Sequence, residues 1–201
     1  MQKTFARKVL DFYKNISLPK NLPADVEVMN PYRAPEVQLY AESFLNQHFS
    51  DNKKRVYVFG INPGRFGAGL TGVTFTDPVA LEKFFGISNN FEKRRELSSE
   101  FIYDFIQLWG GTEKFYQDFF LTAVSPLGFT RNGRNYNYYD HPKLLEILKP
   151  FIVDMTNTQL VFGAQREVAI VLGIKNHKIF NELNEEYGFF KKIYAVEHPR
   201  F

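Results

Sequence analysis

Apolar residues along this chain fall into stripes at helical spacing that alternate with short continuous apolar runs, an alternation that predicts an α/β protein. Phe5, Val9, Phe12, Tyr13 and Ile16 share one face of an amphipathic helix from Gln2 to about Ser17. Pro19, Pro23 and Pro31 break the next stretch into an extended connection, and Pro35 opens a second helix reaching about Phe49, with His48 packed near its end. The run from Arg55 to Phe59, stopped by Gly60, reads as a first buried strand because β-branched and aromatic side chains suit a pleated, buried surface. Asp77 caps a short helix ending near Gly86. Ser98 is placed to cap another, whose Phe101, Ile102, Phe105, Ile106 and Trp109 form one stripe assigned to the core. Phe119 to Val124 is the second strand. Asp140 is assigned as cap of an apolar helix from Leu144 to Met155, which Pro150 should kink or end. Gln159 to Gly163 reads as a third strand and turn, feeding a helix through Ala164, Val168, Val171 and Leu172. A further helix runs from Lys175 to about Tyr187, and Lys192 to Val196 is the fourth strand. Strands separated by helices, without hairpin signals between them, imply a parallel sheet covered by helices on both faces.

With 201 residues, 44% of them hydrophobic, the chain can bury one large core, so a single domain over 1–201 is expected, its residues 1–50 forming an N-terminal helical part packed on the α/β core. No apolar run matches a bilayer-spanning helix, and Met1 to Lys8 lacks the apolar centre of a signal peptide; a cytoplasmic protein away from membranes is expected, and a monomer. There is no cysteine, and the four histidines show no ligand spacing, so neither a metal nor another cofactor is expected. The net charge of +3 is small, but Lys53-Lys54-Arg55, Lys93-Arg94-Arg95, Arg131 with Arg134, and Lys191-Lys192 sit beside predicted loops or strand ends. They permit a polyanionic partner, and a solvated mixed surface accounts for them equally.

Three segments concentrate the chemistry. Gly60 to Phe75 leaves the carboxyl end of the first strand, the edge at which open α/β sheets form ligand crevices. Its glycines let backbone approach a ligand, and Pro63 stiffens the turn after Asn62. It lacks Gly-Lys-Ser/Thr, which excludes a P-loop. Gly128 to Asp140 alternates arginine, asparagine and tyrosine, offering phosphate contacts and stacking faces in a segment that reads as a flexible loop. His198 comes after the last strand and therefore falls on the same edge as Asn62, with Pro199 holding its backbone extended.

Gly60-Ile61-Asn62-Pro63-Gly64-Arg65-Phe66-Gly67, followed by Thr71-Gly72-Val73-Thr74-Phe75, resembles the first motif of the uracil-DNA glycosylase superfamily. Within it the match is to the single-strand-selective monofunctional branch, which carries Gly-Met-Asn-Pro-Gly-Pro-Phe-Gly and then Thr-Gly-Val-Pro-Phe. Gly133-Arg134-Asn135 is similar to a Gly-Arg-Asn of that branch, and His198-Pro199 to the start of the second motif. The resemblance implies a three-layer α/β/α fold whose four parallel strands lie in the order 2-1-3-4. It implies a monofunctional glycosylase that removes uracil or other deaminated bases from single- or double-stranded DNA by hydrolysis. In that assignment Asn62 positions water, His198 donates to the leaving base and Phe75 stacks on it. Gly60, Ile61, Pro63, Gly64, Phe66, Gly67 and Ala123 meet the base or its surroundings, while Arg65, Arg131, Arg134, Asn135 and Arg200 contact DNA. Two departures matter. Ala123 stands where the family has an asparagine that reads the uracil edge, which leaves either a wider, more tolerant pocket or reading by backbone amides or Asn135. The second motif also lacks its serine and second proline, so a non-catalytic nucleic-acid-binding protein on the same fold stays open, as does a small-molecule enzyme acting on nucleosides.

Overall fold

The computed structural model describes residues 2–198. The chain runs α1 (Phe5–Asn15), β1 (Val26–Met29), a 3-10 turn (Pro31–Arg33), α2 (Pro35–His48), β2 (Arg55–Gly60), α3 (Ala68–Thr71), α4 (Pro78–Phe85), α5 (Leu97–Trp109), α6 (Thr112–Asp118) and β3 (Phe119–Ala123). It continues as β4 (Gly128–Arg131), β5 (Arg134–Tyr136), α7 (Pro142–Leu160), β6 (Ala164–Leu172), α8 (Ile174–Tyr187) and β7 (Lys192–Val196). Four strands form a parallel sheet in the order β3-β2-β6-β7, which is 2-1-3-4 when those four are counted along the chain, and helices cover both faces. The register pairs Gly60 with Ala123 and Leu172 with Val196, so the segments after all four strands emerge at one edge. No helix among the described residues is long and apolar enough to cross a membrane.

The order holds, yet the third strand is made of other residues than expected. Gln159 and Leu160, expected to open the strand, are the last residues of α7, and Ala164–Leu172, expected as helix, is strand β6. Val168, Val171 and Leu172 fit a helical face as well as a buried strand, and periodicity cannot separate the two over so short a run. Position decides: β6 lies between β2 and β7, with Ala169 and Val171 fully buried. α7 passes through Pro150 because Pro150 and Glu146, whose carbonyl loses its donor, both face solvent.

Gly128 to Asp140 is not one flexible loop. It contains a hairpin, β4 with β5, turned at Asn132 and Gly133, whose φ values of 51° and 68° are left-handed. This is the two-residue Asn-Gly turn that suits the twist of paired strands. β1 adds antiparallel to β4, making a second, three-stranded sheet beside the cleft edge.

Three local assignments also change. α5 starts after Glu96, and Ser98 lies within it, buried, without capping it. Its inward face is Ile102, Tyr103 and Ile106, which turns Phe101, Phe105 and Trp109 outward; Trp109 Nε1 donates to Asp118 at 3.2 Å. His141, not Asp140, caps α7, its Nδ1 accepting from Lys143 N–H at 3.2 Å, while Asp140 accepts from the Asn137 backbone and side chain.

Candidate active site

At the carboxyl end of β2 the first requirement is space. A Cβ on Gly60 would lie 2.7 Å from Phe75 Cζ, so the absence of a side chain there lets the Phe75 ring cross the strand end. Phe75 has φ 57°, a left-handed conformation that costs a non-glycine residue on the order of 1–3 kcal/mol and persists only where its surroundings over-determine it. Those surroundings are visible. The Thr71 hydroxyl donates to Thr76 O at 2.7 Å and accepts from Val73 N–H at 3.2 Å, and the Thr76 and Tyr103 hydroxyls are 2.7 Å apart.

Asn62 stands two residues past the end of β2. Its Oδ1 accepts from the Tyr138 N–H at 3.2 Å, and its Nδ2 reaches the carbonyls of Tyr136 and Pro63, each at 3.4 Å. Tyr138 is buried, and that burial pushes its phenol well up. The Tyr138 hydroxyl donates to Asn176 Oδ1 at 2.7 Å. His198 comes in after β7, its ring centroid 6.5 Å from that of Phe75, and it lies against Gly173, where a Cβ would sit 3.5 Å from His198 Cβ.

These elements enclose a cleft of about 720 Å³. Of the residues singled out in the sequence, Gly60, Ile61, Asn62, Pro63, Gly64, Phe75, Ala123, Asn135 and His198 line it. Phe66 and Gly67 do not. The Phe66 ring is capped by the guanidinium of Arg94 at 3.9 Å and of Arg65 at 4.7 Å, and Gly67 packs where a Cβ would collide with the Glu96 carboxylate. Arg65 donates its backbone N–H to Asn135 Oδ1 at 3.0 Å and its guanidinium to Gly133 O, which fastens the first motif to the hairpin. Arg131 is turned to Asp25, at 2.6 Å, and to the Tyr136 hydroxyl, at 3.2 Å. Arg134 is exposed on β5. Pro199 and Arg200 lie outside the described residues.

The cleft also holds groups that the motifs do not contain. Glu96 is 8% exposed and presents its carboxylate to Gly64 and Gly67. Lys175 places its ammonium 4.7 Å over the ring of Tyr139, whose phenol is pushed up to about 12 by burial and by the charge of Asp140 beside it. Glu96 belongs to the polar stretch between Asn89 and Leu97, where only tertiary folding could reveal its partners. Lys175 and Asn176 stand just past the end of β6, and recognising that strand would have put them on the ligand edge. Among the described residues no group of three or more His, Asp or Glu is gathered to hold a metal ion. A neutral amide, an imidazole and an aromatic face around one cleft can together orient a water, donate to a developing oxyanion and stack on a planar ring.

A family model described as the uracil DNA glycosylase superfamily matches residues 47–201. No curated protein sequence matches the chain. Among solved structures, the crystal structure of wild-type SMUG2 from Pedobacter heparinus is similar with a TM-score of 0.96 at 41% identity, covering 100% of this chain and 89% of that one.

Proposed function

The chain belongs to the uracil-DNA glycosylase superfamily, and on that premise we propose that it is a monofunctional DNA glycosylase, releasing uracil and other deaminated bases by hydrolysis to leave an abasic site. The observation that carries this reading is the meeting of Asn62, Phe75 and His198 around one cleft. The base, turned out of its stack, lies on Phe75, a contact worth about 1–3 kcal/mol against an unstacking cost of a few kcal/mol. As the C1′–N bond lengthens, its electron pair moves onto the base and the sugar gains oxocarbenium character. His198 donates to a carbonyl oxygen of the departing base, a contribution of about 3 kcal/mol where such donors have been removed elsewhere. Asn62 Oδ1 accepts a hydrogen bond from the water that attacks C1′, and the proton this water loses ends on the departed base anion, giving the neutral free base and a C1′ hydroxyl. The motifs that meet at the cleft carry no lysine to form a Schiff base with the sugar aldehyde. The strand therefore remains uncut. Arg65, Arg134, Arg131 and Arg200 supply phosphate contacts in this reading, with Asn135 beside them, and the chain acts as a single-domain monomer in the cytoplasm.

Ala123 sets the substrate range. It is buried at the cleft and contributes no side-chain hydrogen bond, so a base lacking the uracil edge leaves nothing unpaired there. Uracil, hypoxanthine and xanthine are all expected substrates. Oligonucleotides carrying one such base each, incubated with the protein and then cleaved by alkali, test this directly. Release of uracil and at least one purine lesion is expected, and Ala123→Asn should shift preference toward uracil. Strict uracil specificity in the parent would show that another group reads the base. DNA retention without release of any base would describe a non-catalytic binding protein.

A further inference from the structure

Asn176 belongs to none of the recognised motifs and is fully buried in the first turn of α8. Its Nδ2 donates to Gly60 O at 3.2 Å and to Leu172 O at 3.1 Å, and its Oδ1 accepts from the Tyr138 hydroxyl at 2.7 Å. One side chain thus joins the ends of β2 and β6 to the segment before α7. That segment also supplies the Tyr138 N–H received by Asn62 Oδ1. Gly173 brings the second half of the site into the same contact, since a Cβ there would meet Asn176 Cβ at 3.6 Å and His198 Cβ at 3.5 Å.

We propose that Asn176 and Tyr138 are positioning residues that fix which way the Asn62 amide faces, an inference that rests on the water-orienting role proposed for Asn62. The chemistry requires one of two orientations. With Oδ1 held by one N–H, its other lone pair accepts a water hydrogen and leaves a water lone pair available for attack on carbon. Rotated by half a turn, the amide would offer its NH2 to the water and engage the lone pair that must attack. The two orientations have nearly the same shape, so packing does not choose between them. Tyr138 does choose, because its N–H cannot face the Asn62 NH2. The remaining contacts of Asn62, at 3.4 Å, are too long to hold the amide by themselves. Tyr138 can exert that choice only while its own backbone is fixed, and the hydroxyl bond to Asn176 ties it to the strand that carries Asn62.

Tyr138→Phe keeps the buried ring and removes that bond; Asn176→Ala removes it from the other side. Each variant should slow single-turnover base release about tenfold while affinity for the damaged oligonucleotide stays within about twofold. In an Asn62→Ala background the same changes should alter the residual rate less than about twofold, because the group they position is gone. Equal slowing in both backgrounds, or no slowing, overturns the proposal. A second readout is independent of activity. The side-chain amide resonances of Asn62, assigned by their loss in Asn62→Ala, should shift in Tyr138→Phe, and unmoved resonances overturn the positioning role. If the parent releases no base but those resonances shift, the glycosylase reading falls and the positioning role stands.

Discussion

The two ends of β2 show how differently one strand can treat polar groups. At its start Arg55 is fully buried, and all five of its N–H donors are used: Nε on Tyr116 O, Nη1 on Asp51 and Lys53 O, Nη2 on Asp51 and His48 O. Its guanidinium also lies 4.7 Å from the Phe49 ring centroid and 5.1 Å from that of Phe5. Past its other end, Asn62 holds one bond of 3.2 Å and two long ones, and it faces a cleft. The buried charge is spent on structure, whereas the neutral amide keeps hydrogen-bonding capacity toward the cleft, and the cluster Lys53-Lys54-Arg55 offers a phosphate one cation fewer than its composition suggests.

Asn62→Ala should break the reactive end alone, lowering base release by about one to three orders of magnitude while the urea midpoint moves little. A parent-like rate in that variant would remove Asn62 from the mechanism. Arg55→Met should break the opposite end. It leaves buried carbonyls without donors, so unfolding free energy should fall by about 3 kcal/mol in urea titration, with activity per folded molecule retained. The same distinction separates two arginines on the hairpin. Exposed Arg134, replaced by alanine, should reduce the logarithmic salt slope of duplex binding by about 0.9, and Arg131, already paired with Asp25, by less. Equal effects would mean that the Asp25 pair opens on DNA. The smallest effect concerns His48, beside Arg55. Burial lowers its pKa below 6.5, and its buried Nε2 meets no hydrogen-bond partner among the described residues. The unfolded chain therefore binds more protons as pH falls below that value, so stability is full above it and declines on acidification. His48→Phe should flatten this acid limb in unfolding measured from pH 7.5 to 5.5.

The order of the parallel sheet was legible because motif resemblance supplied it, and Asn62 and His198 were legible because each comes directly after a strand that reads clearly. β6 was not. Gln165, Arg166 and Glu167 precede its buried half, and that polar opening hides a strand whose burial comes from neighbours on both sides. The hairpin carries a readable signal, Asn132-Gly133, but its flanks are arginines in place of apolar residues, so the whole segment reads as a loop. In α5 the aromatic stripe outweighs Ile102, Tyr103 and Ile106, although a helix can bury only the face that its neighbours cover. Tyr138 and Asn176 carry no local signal, since their bonds link distant parts of the chain.

The second sheet has a consequence for assembly order. The hairpin of β4 and β5 can close locally, but its outer edge is completed only by β1, where Thr130 donates to Glu27 across a sequence separation of 103 residues. Such a distant pairing is slow to form, and until it does β4 presents an open strand edge to other chains. During refolding the β1 segment therefore serves as the molecule's own guard against edge-to-edge aggregation. A chain shortened past Met29 should refold in lower yield as protein concentration rises, even where its parallel sheet is intact.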